Sequence, residues 1–240
     1  MKPNQKAKTT KKVQIREMFN KISVEYDFLN RIITFGNDSR WRKRIYTISK
    51  KSNPKNILDI ATGTADIAIE LSKIDKAKII GIDISNNMLE VGRKKIEEKK
   101  LSQKISLIHG DAENIKFRNN YFDIITIGFG VRNFENLLKG LNESHRVLKE
   151  NGKLIILETS TPKDSLIKFF YKIFARVFLP LTGWLFSKDQ SAYKYLQKSS
   201  ETFPSGKDFI DILTSCGFKN VEVEPQMFGA SSIYIAQKKI

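Results

Sequence analysis

The sequence predicts an α/β protein: one doubly wound, mostly parallel sheet of seven strands whose last strand runs antiparallel. Three observations predict it. From residue 56 onward, short and continuously apolar runs rich in isoleucine alternate with helical patterns, the mark of strands buried on both faces by crossover helices. Two final strand-like runs, "NVEVEPQ" and "SSIYIAQKK", are separated only by "MFGA", which makes them a hairpin. The 240 residues suffice for one such domain and not for two.

The elements follow in order. Residues 1–12, "MKPNQKAKTTKK", carry five lysines and no acid and too little apolar surface to offset ordering entropy, so a flexible basic arm is expected. A single domain then spans 13–240. It starts with Ile15, Met18, Phe19 and Ile22 at helical spacing and a second basic helix, "SRWRKRIYTISKK". Strand and helix then alternate: "NILDIA", "ADIAIELSKI", "AKIIGIDI", "NMLEVGRKKIEEKK", "ISLIHG", then directly the strand "YFDIITIG", the helix "LLKGLNESHRVLKE" and the strand "KLIILET". After Pro162 a helical insertion at about 163–200 is expected, followed by the helix "GKDFIDILTSCG".

Composition narrows the function classes. With 40% hydrophobic and 28% charged residues the chain has the makings of an ordinary core. One cysteine, Cys216, and two histidines, His109 and His145, exclude a disulfide framework and leave no Cys/His zinc site, so no metal is expected. No signal-peptide pattern opens the chain, and a reducing cytoplasm is the expected location. The net charge of +16 has three readings: an AT-biased composition, attraction to an anionic membrane, or RNA. Within the insertion, "LIKFFYKIFARVFLPLTGWLF" (166–186) places Lys168, Lys172 and Arg176 four apart among aromatics. That is the pattern of a helix lying in a membrane interface, or of a lid packed over a pocket. Its charges and Pro180 argue against spanning. Nothing fixes the oligomeric state, a homo-oligomer included.

The chemistry-bearing residues sit where strands end. In "LDIATGTAD" the turn after the first strand carries Gly63 between Thr62 and Thr64, with Asp66 where a dinucleotide fold needs room for pyrophosphate. That argues against NAD or FAD. Asp83 ends the second strand 19 residues after Thr64, placed to accept from both ribose hydroxyls of an adenosine. Asp111 ends the third and can accept from the adenine amine, with the Ala112 amide donating to a ring nitrogen. Adenosine without pyrophosphate points to S-adenosylmethionine. Asp59 and Asp66 either cap the turn or answer the cofactor's cationic end indirectly. His109 and His145 are read as structural.

Five stretches, "YDFLNRIITFGNDSRW", "LDIATGTAD", "FGVRNF", "RVLKENGKLIILETS" and "AYKYLQKSSETFP", resemble the menaquinone/ubiquinone biosynthesis C-methyltransferases, from about Val13 onward. The sequence departs from that pattern at Thr34, Asp38, Gly128, Glu150 and Asn151; at Gly128 a serine side chain that could touch the cofactor is missing. The resemblance implies the class I methyltransferase fold, S-adenosylmethionine as cofactor, and methylation of a ring carbon of a polyprenyl demethylmenaquinol, with a benzoquinol of ubiquinone synthesis as the alternative. It places cofactor contacts on Thr64, Asp83, Asp111 and Ala112 beside Gly63, and a catalytic Arg-Asn pair on Arg132 and Asn133. A greasy acceptor implies peripheral association with an anionic membrane surface.

A phenol titrates near about 10. A unit cation about 4 Å away at an effective dielectric of about 20 is worth roughly 4 kcal/mol, close to three pKa units. Arg132 is therefore expected to stabilise the quinolate, Asn133 to orient the hydroxyl or a water, and Tyr26 to place the ring or relay the proton. RNA methylation is the rival. It lacks support in an added RNA-binding module, a catalytic cysteine or an N-P-P-Y-like turn, and no nucleic-acid partner is expected.

Overall fold

Isoleucine-rich runs pair as parallel strands because both of their faces need cover, and in the computed structural model, which describes residues 1–162 and 190–239, they do. The strands are β1 (Asn56–Ile60), β2 (Lys78–Asp83), β3 (Ile105–His109), β4 (Phe122–Gly128), β5 (Leu148–Thr159), β6 (Phe218–Gln226) and β7 (Ser231–Lys238). They form one sheet in the order β3-β2-β1-β4-β5-β7-β6. All neighbours are parallel except β7, which is antiparallel to both β5 and β6. The hairpin inserts β7 inside and leaves β6 at the edge, as composition requires. β7 is buried through its first six residues, whereas β6 alternates with charge and carries Pro225, which cannot donate to a ladder and suits an edge.

The helices are α1 (Lys11–Ile22), α2 (Tyr26–Ile33), α3 (Asn37–Lys50), α4 (Asp66–Leu71), α5 (Asn86–Glu98), α6 (Leu137–Val147), α7 (Gln190–Thr202) and α8 (Lys207–Ser215). Alternate strand residues feed opposite faces. Leu58, Ile60, Ile125 and Ile127 pack with α6 and α8, while Ile57, Ile79, Ile124 and Ile155 pack with α3, α4 and α5. A third cluster, Ile15, Met18, Ile22 and Leu29 with Met88 and Tyr195, ties α1 and α2 to α5 and α7.

Three boundaries differ from expectation. Thr10 caps α1 by accepting from the Val13 amide, so Lys11 and Lys12, assigned above to the basic arm, are helical. α2 forms a helix of its own, which the sequence pattern did not separate. α6 ends at Val147, three residues early, because Leu148 pairs with Phe122 and the Tyr121 amide donates to the Val147 carbonyl; the ladder takes the backbone that the helical pattern claimed. The amphipathic stretch at 166–186 lies outside the described residues. Among the described residues no helix is long and apolar enough to cross a membrane.

Candidate active site

The strand order reverses between β1 and β4, and in such sheets the crevice beyond the carboxyl ends of the strands is where ligands bind. The turn from β1 into α4 is unusual there. Ala61, Gly63 and Ala65 all have left-handed φ, at 52°, 55° and 66°, and two of them carry a side chain that disfavours it. The strain is held by hydrogen bonds: the Gly63 amide donates to Asp83 Oδ2 at 2.9 Å, and the Thr62 hydroxyl to Asp59 at 2.6 Å. A third donor, the Ser85 amide, reaches Asp83 Oδ1 at 2.8 Å.

Three adjoining cavities open at this edge. The first, which opens to solvent, is lined by Gly63, Asp83, Asp111, Ala112, Asn133 and the apolar Met88, among others. Asp83 carries one backbone amide on each oxygen and keeps acceptor capacity for hydroxyls; desolvation raises its pKa. Asp111 is less open than expected. Its Oδ2 accepts from Lys12 Nζ at 2.7 Å and its Oδ1 from the Glu113 amide at 2.9 Å, so α1 stands at the mouth of this cavity. Two carboxylates on successive strand ends beside an apolar wall fit an adenosine and leave no cradle for pyrophosphate.

The second cavity is acidic, with Asp27, Asp38, Asp59 and Asp66 offset by Arg42. Thr64, expected in the cofactor contact set, lines this cavity and not the first, and its hydroxyl donates to Asp27 at 2.5 Å. Lys95 bridges Asp27 at 2.8 Å and Asp66, which Arg42 also meets at 3.1 Å. Asp59 is buried, accepts from Thr62 and from Thr126 at 2.6 Å each, and burial pushes its carboxyl up to about 6.

The third cavity is walled by Ile33, Trp41, Leu196 and Met227, with Arg132 as its charged member among the described residues. Tyr26 and Phe129 line all three cavities and stand where they meet. Phe129 has φ 54°, a conformation bulky residues rarely accept. Its amide donates to the Leu157 carbonyl at 2.8 Å and its ring leans on Trp41 at 5.9 Å. Burial pushes the Tyr26 phenol up, so it remains a protonated donor.

Arg132 was expected to act as a lone unit cation, and this premise needs correcting. Its guanidinium is ion-paired with Glu158, which is fully buried, and lies 5.5 Å from the Phe129 ring centroid. The field at the third cavity is that of a dipole, smaller than the estimate made for an isolated charge. Asn133 is held from two sides, donating to the Phe129 carbonyl at 3.2 Å and accepting from the Tyr195 hydroxyl at 3.2 Å. It lines the first cavity and Arg132 the third, so the adjacent pair faces two chambers.

Sequence reasoning missed Glu158, Tyr195 and Lys12. Glu158 was legible: it is an acid at the carboxyl end of a central strand, the same signal that singled out Asp83. His145 lies away from the cavities, edge-on to Phe218 at 5.1 Å, and His109 is exposed at the end of β3. Among the described residues no group of three or more His, Cys, Asp or Glu side chains is placed to hold a metal ion.

Comparison with known proteins adds the family. A model of the ubiE/COQ5 methyltransferase family matches residues 5–238. The demethylmenaquinone methyltransferase of Bacteroides fragilis is 40% identical over 229 residues, covering 95% of this chain and 94% of that protein. The ubiquinone/menaquinone biosynthesis C-methyltransferase UbiE of Geotalea uraniireducens is 40% identical over 232 residues, 96% of this chain and 98% of the other. A solved SAM-dependent methyltransferase of Thermotoga maritima superimposes with a TM-score of 0.60 at 18% identity, covering 94% of this chain and 100% of that one, a likeness of fold.

Proposed function

The chain belongs to the ubiE/COQ5 methyltransferase family, and from that premise we propose that it methylates a ring carbon of demethylmenaquinol with S-adenosylmethionine, the last step of menaquinone synthesis. One observation carries the reading most: a carboxylate-lined cavity and an apolar cavity with a buried arginine meet at Tyr26 and Phe129. Bound in the first cavity, S-adenosylmethionine supplies an electrophilic methyl group. Asp83 accepts from the ribose hydroxyls, Asp111 from the adenine amine, and the Ala112 amide donates to the ring. Gly63 and Thr64 shape the turn, and the acidic second cavity faces the cofactor's cationic end. In the third cavity Arg132 donates to the quinol oxygen as it becomes negative. Asn133 orients the hydroxyl or a water, and Tyr26 stays protonated and steadies the ring.

The test is direct. Purified protein with S-adenosylmethionine should convert demethylmenaquinol to menaquinol, or the corresponding benzoquinol to its C-methylated benzoquinol, as read after extraction, and no methylated quinone of either kind would refute the proposal. The benzoquinol is retained as a second acceptor because one relative is named for both pathways.

Asp59 gives the reaction a pH signature. Its carboxyl, raised to about 6, is protonated in the fold below that value and ionised in the unfolded chain above about 4. Fold stability therefore falls as pH rises from about 4 to 6. A cationic cofactor favours the ionised form. Titration calorimetry should show affinity rising about fivefold between about pH 5 and pH 7.5, and Asp59→Asn should flatten that dependence. An unchanged dependence in the variant would remove Asp59 from the account.

A polyprenyl acceptor brings the enzyme to the bilayer. Phe35 is 61% exposed and Phe228 81% exposed, and each directly follows a wall residue of the third cavity, Thr34 and Met227. We place these aromatics in the cytoplasmic leaflet, with basic side chains adding about 1 kcal/mol each at an anionic surface. Co-sedimentation with vesicles containing phosphatidylglycerol should weaken with salt and drop further in a Phe35→Ser, Phe228→Ser variant. Equal binding by the variant would move the contact elsewhere.

A further inference from the structure

A buried ion pair is a poor stabiliser, because desolvating two charges offsets most of their attraction and apolar residues of the same volume usually do as well. Glu158 nevertheless sits fully buried at the carboxyl end of β5. Its carboxylate accepts from the Thr159 amide at 2.8 Å and the Thr159 hydroxyl at 3.2 Å. It also accepts from Arg132 twice over, from the backbone amide at 3.4 Å and from the guanidinium. One carboxylate thus grips both the main chain and the side chain of a single residue. The Arg132 side chain is only 9% exposed, and its Nε is buried with no hydrogen-bond partner among the described residues. Arginine's fork is rigid and planar, so fixing one nitrogen on Glu158 fixes the direction of the rest.

We propose, on the functional reading above, that Glu158 is a positioning residue that fixes the plane of the Arg132 guanidinium at the wall of the third cavity, so that the donors Glu158 leaves free serve the acceptor oxygen there, and that it compensates the arginine's charge. Among the described residues, the charged and titratable groups around Arg132 are Glu158 from β5, Tyr26 from α2, Tyr195 from α7 and Lys11 from α1. Lys11 donates to the Arg132 carbonyl at 2.9 Å. Glu158 is the acid of this set. Its negative charge holds the acceptor hydroxyl at a higher pKa than an unpaired arginine would impose, and leaves the quinolate to form against a fixed donor.

Glu158→Gln and Glu158→Asp test this, with kcat, quinol KM, cofactor affinity and the pH dependence of kcat as readouts. In Glu158→Gln, kcat should fall about 100-fold while cofactor affinity stays within about twofold of wild type. Its acid limb should move down by about one pH unit, because the arginine's field is no longer compensated. Glu158→Asp keeps the charge but withdraws it by a methylene, so kcat should fall about tenfold with the limb in place. A glutamine variant with kcat within twofold of wild type, or with an unmoved acid limb, overturns the proposal. If that variant fails to bind cofactor, the aspartate variant decides, and wild-type kcat there is the overturning result. Wild-type turnover of demethylmenaquinol is the control. Its absence refutes the functional reading, whereas normal wild-type turnover beside an unaffected glutamine variant refutes only the role of Glu158.

Discussion

Arg132→Ala is expected to lose about three orders of magnitude or more in methyl transfer to demethylmenaquinol while binding S-adenosylmethionine nearly as well as the wild type. The separation follows from placement: Arg132 lines the apolar third cavity and is not among the residues lining the first. Removing one donor aimed at a developing oxyanion costs about 100- to 1,000-fold, and here the lost group is also the cation balancing Glu158. Alanine leaves that carboxylate buried without its partner, a change worth about 3–5 kcal/mol of stability when a buried pair is broken. The variant should therefore melt earlier as well as turn over more slowly. Arg132→Lys separates the two effects. It restores the charge beside Glu158 and most of the melting temperature, but a lysine has neither the planar fork nor the Nε donor, so turnover should recover little. Asn133→Ala should lose about tenfold, since its amide bridges Phe129 and Tyr195 and bears no charge. Turnover within tenfold of wild type in Arg132→Ala, at normal cofactor affinity, would be incompatible with the assigned role.

How much of this was legible in the chain depends on whether the cause is local. The parallel order follows from runs such as "NILDI" and "FDIITIG" whose apolar continuity admits only two-sided burial, and the edge position of β6 follows from Pro225 and its alternating charges. Asp83 and Asp111 were singled out because a strand's carboxyl end is a position that the sequence marks, and both line the first cavity. What the sequence concealed was set by partners distant in the chain. α6 stops at Val147 because β4 claims Leu148. Lys12 looks like solvated arm until the packing of Ile15 and Met18 against Met88 lowers α1 onto Asp111. Ala61 and Ala65 adopt left-handed φ that no propensity foretells, on either side of Gly63, whose amide donates to a carboxylate 20 residues on. The pairing of Arg132 with Glu158 spans 26 residues, and without it the arginine reads as a bare cation.

Asp83→Ala is expected to weaken S-adenosylmethionine binding by about 100-fold or more, with a correspondingly large loss of activity at low cofactor concentration. Hydrogen bonds to a charged acceptor contribute about 1.5–3 kcal/mol, which at 1.4 kcal/mol per tenfold accounts for roughly 10- to 100-fold from the ribose alone. The rest comes from the protein. Asp83 also accepts from the Gly63 and Ser85 amides, and losing it leaves those donors unmatched at a turn that already carries three left-handed residues. A simple affinity loss therefore does not show that the carboxylate touches ribose, since a collapsed turn does the same. The two contributions separate in a cycle that pairs Asp83→Ala with a 2′,3′-dideoxy analogue of S-adenosylhomocysteine, the product of methyl transfer. If Asp83 holds the hydroxyls, the dideoxy analogue binds the wild type about 10- to 100-fold more weakly than the parent nucleoside, and the variant binds both equally. The coupling energy is then about 1.5–3 kcal/mol. If the carboxylate serves only the turn, the analogue loses the same factor in both proteins and the coupling vanishes. Calorimetry on the four combinations decides between a ribose acceptor and a turn clamp, because only the first makes the variant indifferent to the sugar.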